Sequence, residues 1–214
     1  MLTNYYTLQD IGSASIIINK SEFIAHAKEV KTEAEALEFI NSIKKKYYNA
    51  THNCYAYVIG ENDQFQKAND DDEPSGTAGK PILELIKKIA LKDTVVVVTR
   101  YYGGIMLGAG GLIRAYGKAA KEGILAAGVV ERALYHKLHL SVDYSWYGKI
   151  ENEMNNRGYT IHQAEFLDNV LLTILAADGE EEALQKLLVN ITNGQAAVSL
   201  GESIYVDSPV QLDD

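Results

Sequence analysis

The sequence predicts an α+β protein of two parts, the second a ferredoxin-like sandwich. Three observations lead there. Beyond residue 132, strand-like and helix-like stretches follow in the order βαββαβ over roughly 70 residues, the pattern of one sheet with two helices on one face. Before that point strands and helices follow a different order, and no repeat links the halves. Charge also breaks there: residues 1–132 hold 16 basic and 16 acidic side chains, residues 133–214 hold 4 and 13, and so the second part carries the whole net charge of −9. Domains of 1–132 and 133–214 are therefore expected.

Composition narrows the class. With 214 residues, 47% hydrophobic and 23% charged, the chain is globular rather than disordered or collagen-like. No run approaches the ~18 apolar residues of a membrane span. No basic region followed by an apolar one opens the sequence, and Cys54, the single cysteine, cannot form an internal disulfide. A soluble cytoplasmic protein is expected.

Residues 14–19 and 22–30 read as strands around the turn Asn19-Lys20-Ser21, with Phe23, Ala25 and Ala27 on one face. Thr32-Glu33-Ala34-Glu35 is a capping box, and the helix it opens has Leu37, Ile40, Ile43 and Tyr47 at helical spacing. Lys44, Lys45 and Lys46 suit the negative end of that helix. Residues 54–59 read as a strand and 64–67 as its return. Pro81 fits the first turn of a second helix, with Ile82, Leu85, Ile86, Ile89 and Ala90 as its buried stripe. Residues 94–100 are β-branched and apolar on both faces, which marks a central strand. Leu112, Tyr116, Ala119, Ala120, Gly123, Ile124 and Ala127 define a third helix ending near Gly128.

The second part starts with an alternating strand over 134–144. A helix over 146–156, strands over 159–166 and 170–176, a helix over 179–193 and a strand over 195–206 follow. The tail 207–214, with Pro209 and two final acids, is expected to fray.

Three segments carry chemistry. Residues 69–79, Asn-Asp-Asp-Asp-Glu-Pro-Ser-Gly-Thr-Ala-Gly, set four carboxylates side by side. Carboxylates ligate Mg²⁺ or Ca²⁺, but the spacing is not that of an EF-hand. The Ser75–Gly79 portion can turn amides toward an anion, or Ser75 or Thr77 can simply cap the next helix. Residues 100–116 place Gly103, Gly104, Gly108, Gly110 and Gly111 between a strand and a helix, where phosphate-binding loops sit. No Gly-Lys-Ser/Thr follows, and the third glycine of a dinucleotide fingerprint is missing. Arg114, Lys118 and Lys121 share one helix face and, with Arg100, form a local basic patch. In His52-Asn53-Cys54 the outer two side chains point the same way on a strand, as a Cys–His nucleophile pair would require, though a buried structural cysteine explains the same residues. His26, His136, His139 and His162 are scattered without metal-ligand spacing.

Together these segments resemble the YigZ/Impact family, the UPF0029 group, over nearly the whole chain. The resemblance is carried by His52, Cys54, Ala56 and Tyr57; by Asp70-Asp71 with residues 73–79; and by residues 99–101 running on through 111–116. Two positions depart: the family usually has Gly at Asp72 and Phe at Tyr102. The resemblance implies an N-terminal Impact domain with the fold of the second domain of a small-subunit ribosomal protein. It implies a C-terminal domain similar to the last domain of elongation factor G. Eukaryotic Impact relatives act in translational control, by competing for an activator of the amino-acid-starvation kinase, and bacterial members have no settled activity. Fold alone does not give function.

The leading expectation is a noncatalytic binding or regulatory protein whose N-terminal domain contacts RNA, the ribosome or a translation factor. No DNA specificity, membrane contact, metal or cofactor is read from the sequence. The expected contact residues are Asp70, Asp71, Glu73, Ser75, Gly76, Thr77 and Gly79 in the acidic loop. Arg100, Tyr101, Gly103, Gly104, Gly108, Gly110, Gly111, Arg114, Lys118 and Lys121 complete the set. The acidic second part would repel a phosphate backbone, so any RNA contact falls on the first. The alternative is an enzyme acting on a phosphorylated or nucleotide-like ligand in the Gly-rich pocket, with Mg²⁺ on the acidic loop. A third reading is hydrolysis by Cys54 with His52 as base.

Overall fold

The computed structural model describes residues 2–211. The chain divides into two compact units: one takes the chain up to Arg132 and again from Asp207, the other is Ala133–Val206.

In the first unit, β1 (Asn4–Leu8), absent from the sequence reading, runs beside the start of β7 (Val129–Val142), with the Gln9 amide donating to the Gly128 carbonyl at 2.9 Å. Next come β2 (Gly12–Ile18), β3 (Ser21–Glu29), α1 (Glu33–Lys46), β4 (His52–Ile59), β5 (Phe65–Asn69), α2 (Gly79–Lys88), β6 (Thr94–Tyr101) and α3 (Gly108–Ala127). Five of these strands form an antiparallel sheet in the order β2-β3-β6-β4-β5.

The capping box forms as expected. Thr32 Oγ1 accepts the Glu35 amide at 3.2 Å, and Glu35 reaches back to the Lys31 amide at 2.8 Å. The β6 run is apolar on both faces because each face feeds a different core. Val96 and Val98 pack with Phe23, Cys54 and the helices α2 and α3. Val95 and Val97 pack with Tyr55, Tyr57 and α1. Two residues of the expected stripes are corrected. Leu37 is exposed while Ala36 and Phe39 are buried, and Ala90 is exposed in a left-handed turn at φ 59° just past α2.

The second unit continues β7 and adds α4 (Tyr144–Arg157), β8 (Thr160–Phe166), β9 (Val170–Ala177), α5 (Glu181–Ile191) and β10 (Ala197–Val210). The strand order β10-β7-β9-β8 is that of a ferredoxin-like sheet. Leu138, Leu140 and Val142 alternate inward with Leu172 and Ile174 against Ile150 and Met154 of α4 and Leu184 and Leu188 of α5. Over residues 207–210 the tail expected to fray is ordered in a strand. Strand β10 runs to Val210, and the Asp207 carboxylate takes two hydrogen bonds from Arg132, at 2.7 and 2.8 Å. The last part of the tail expected to fray, 212–214, lies outside the described residues.

Candidate functional site: a cleft between two loops in the first unit

The acidic loop is built around its own carboxylates. Asp70 Oδ1 accepts the amides of Ala78 and Gly79 at 3.0 and 2.9 Å, and Oδ2 accepts that of Gly76 at 2.8 Å. Burial opposes the charge on Asp70, but the amide bonds from Gly76, Gly79 and Ala78 outweigh it and hold the carboxyl below its ordinary range. The amides of Gly76, Ala78 and Gly79, expected to turn toward an anion, are thus satisfied internally, and Asp70, not Ser75 or Thr77, fills the capping role. Ser75 is exposed, and the Thr77 hydroxyl donates to the Pro74 carbonyl at 2.6 Å. Gly79 is required sterically: a Cβ there would lie 2.5 Å from the Asn69 nitrogen.

The other carboxylates face different ways. Asp71 takes the Lys44 ammonium at 2.7 Å on one oxygen and the Asn53 amide at 2.7 Å on the other. Glu73 turns inward. Asp72 is exposed. No common point for a cation is left among the four, so the Mg²⁺ arrangement of the alternative reading is not assembled here. Asp71 and Asp72 sit at φ 44° and 69°, so the aspartate at the family's usual glycine position keeps the left-handed turn.

Glu73 is the centre of a buried network. Its Oε1 accepts Arg100 Nη1 at 2.6 Å and the Tyr116 hydroxyl at 2.7 Å. The Arg100 guanidinium lies 5.3 Å from the Phe23 ring centre and 5.4 Å from that of Tyr102, between two aromatic faces. Its Nη2 donates to Ser21 Oγ at 3.3 Å, while Nε has no hydrogen-bond partner among the described residues. Arg100 is only 5% exposed and therefore does not join the basic face of α3, which corrects that expectation. The network is assembled by register: β6 pairs with β4 so that Arg100 stands opposite His52, and with β3 so that it stands opposite Phe23.

His52 and Cys54 do not serve each other. His52 Nδ1 lies 2.7 Å from the Asp71 carbonyl, which makes it the donor, and Nε2 lies 3.7 Å from Glu73. The Cys54 thiol donates to the Asp70 carbonyl at 2.9 Å, with the Tyr116 oxygen 3.4 Å away. Burial, together with the charges of Glu73, Asp71 and Asp70, pushes this thiol far above its ordinary value, and the Tyr116 hydrogen bond offsets only part of the shift. With Cys54 buried and His52 turned to the Asp71 carbonyl, the Cys–His pair of the hydrolase reading is not assembled.

The two loops line one cleft of about 590 Å³, whose walls are His52, Asp72, Glu73, Pro74, Arg100, Tyr102, Met106, Leu107, Gly108, Ala109 and Leu112. Of the expected residues, Glu73, Arg100 and Gly108 reach the cleft. Asp70 and Asp71 shape it through backbone and carboxylate bonds. Tyr101 donates to Asn49 at 2.9 Å, away from it. Gly103 serves the close approach of β6 to the β2–β3 turn, where a Cβ would lie 2.1 Å from the Lys20 carbonyl. Gly104 holds a positive φ of 84°. Gly110 and Gly111 lie within the first turn of α3 rather than in a loop, and no side chain caps that turn. Arg114 and Lys118 are exposed further along α3, and Lys121 is half-buried. Sequence reasoning placed Tyr116 in the segment 100–116 and in the α3 stripe without giving it a site role, and it missed the apolar members Met106 and Leu107, whose spacing carries no chemical signal.

An α+β protein of two units, with a loop-bounded cleft in the first and a ferredoxin-like second, is the class these features define. Residues 19–124 match the Impact N-terminal domain, and residues 140–195 match a domain of unknown function, DUF1949. The IMPACT family member YvyE of Bacillus subtilis is 52% identical over 98% of this chain and 97% of its own. The IMPACT family member YigZ of Escherichia coli is 30% identical over 83% of this chain and 88% of its own. A crystal structure described as that of a hypothetical protein superposes with a TM-score of 0.59 at 26% identity, over 92% of this chain and 97% of its own. The chain belongs to the YigZ/Impact family. No described helix is long and apolar enough to cross a membrane.

Proposed function

We propose that this chain is a noncatalytic binding protein of translational regulation, and that its first unit contacts RNA, as displayed on the ribosome, around the N-terminal end of α3. One observation carries the proposal: the cleft interior is locked while its rim is open. Inside, Glu73, Arg100, Tyr116 and Cys54 are committed to one another or to backbone. At the rim and on the adjoining turn of α3, Tyr102, Ile105, Met106 and Ile113 are 46%, 41%, 87% and 45% exposed, and Arg114 and Lys118 are exposed further along α3. An aromatic face beside cations and an uncapped helix N-terminus is the chemistry that holds a single strand, the ring stacking bases and the cations taking phosphates.

Fluorescence anisotropy with unstructured single-stranded RNA, alongside ribosome co-sedimentation, tests this. Changing Arg114, Lys118 and Lys121 to Ala should flatten the slope of log K against log salt by about 2, at about 0.7 for each phosphate no longer neutralised. Tyr102→Ala should weaken binding by about 1–3 kcal/mol. Parental affinity in both variants at low salt would refute the surface. A second reading rests on the cleft itself, whose volume suits a small ligand. A rise in melting temperature with a nucleotide, but no RNA or ribosome binding, would favour that reading.

A further inference from the structure

We propose that His136, Asp178 and Glu181 form a binding site for a divalent transition-metal ion, zinc being the best fit, within the second unit. His136 lies on β7, Asp178 directly follows β9, and Glu181 opens α5. The His136 Nε2 atom is 2.9 Å from Asp178 Oδ1 and 2.9 Å from Glu181 Oε1, and the three ligand atoms lie within 4.8 Å of one another. A single ring nitrogen carries one proton at most, so the two carboxylates must share it. A cation among the three satisfies all of them.

The dimensions suit such an ion. Zinc–ligand bonds of about 2.0–2.2 Å in a tetrahedron place ligand atoms about 3.4 Å apart, so the two His136–carboxylate distances need open by only about half an ångström, and the two carboxylate oxygens, within 4.8 Å of each other, stay in reach of the same ion. Glu181 is already oriented, its Oε1 accepting the Gly179 amide at 3.1 Å, which is the supporting contact that a metal-ligating carboxylate commonly has. The three side chains are 23%, 36% and 24% exposed, leaving an entry path and a fourth position for water. One imidazole with two carboxylates suits zinc, manganese or iron better than magnesium or calcium, which favour oxygen-only shells. A bound ion would tie the β9–α5 turn to β7. Sequence spacing hides the site because His136 and Asp178 are 42 residues apart and meet only through strand pairing, which sets His136 opposite Ala176.

The test uses the full chain, free of any tag and stripped with a chelator, titrated calorimetrically with zinc chloride and separately with magnesium chloride. One zinc ion per chain is expected, with no magnesium heat at the same concentrations. His136→Gln and Asp178→Asn should each weaken zinc binding at least ~10-fold. Manganese-induced broadening of backbone amide resonances in the unaltered protein gives a readout that does not depend on a variant folding. Broadening centred on residues 134–138 and 176–182 supports the site. Absence of zinc binding, undiminished affinity in both variants, or broadening centred elsewhere, as on the acidic loop, overturns it.

Discussion

Replacing Glu73 by Leu removes the only carboxylate that faces the Arg100 guanidinium at bonding distance among the described residues, 2.6 Å, and the acceptor of the Tyr116 hydroxyl at 2.7 Å. Arg100 is 5% exposed, so water cannot take over. Breaking one side of a buried pair costs about 3–5 kcal/mol. The aromatic faces of Phe23 and Tyr102 retain some compensation for the cation, at about 0.5–1 kcal/mol or more each, which places the loss near 3 kcal/mol. For a chain of this length that lowers the melting temperature by about 6–12 °C. Replacing both partners, Glu73→Leu with Arg100→Met, removes the stranded charge and should recover most of the loss, because an apolar substitute for a buried pair is often neutral. Urea denaturation at pH 7, followed by circular dichroism with the m value checked for constancy, measures both. A single variant within ~1 kcal/mol of the parent, or a double variant no better than the single, would refute the argument that this pair is held by mutual charge compensation in a dry site.

His26 is 5% exposed, and burial first, then the charge of Lys46, lowers its pKa from 6.5 to about 4. The unfolded chain therefore binds the proton more tightly, and stability should fall as pH drops from about 6.5 toward 4, by at most roughly 3 kcal/mol. His26→Leu should lose this slope; an unchanged pH dependence would show that another group is responsible. Asp70→Ala removes three amide hydrogen bonds at the start of α2 and should cost about 1–3 kcal/mol, read as a lower urea midpoint. Ser75→Ala, at an exposed position that caps nothing, should stay within about 0.5 kcal/mol, and the reverse ranking of the two would restore Ser75 as the cap.

Local physics determined what could be read along the chain. Burial repeats every two residues on a strand and every 3.6 on a helix, so β6, the α3 stripe and the βαββαβ order of the second part were legible from side-chain pattern alone. The capping box at Thr32 was legible because all its partners lie within five residues. The reading failed where a neighbour distant in sequence decides burial. Leu37 has the right spacing but the wrong side of α1, because the core it would join is occupied by Phe39 and Ala36 against β4 and β6. Strand β1 was missed because five residues are too short to show a pattern of their own, and they become a strand beside β7. Both loops were visible as unusual, yet only the tertiary structure turned Asp70 onto α2, Glu73 onto Arg100, and Arg100 away from the basic face it was expected to join. Which charge meets which, and whether water reaches them, is set by antiparallel register between segments tens of residues apart, and the period-2 pattern fixes which face each side chain takes without singling out one pairing.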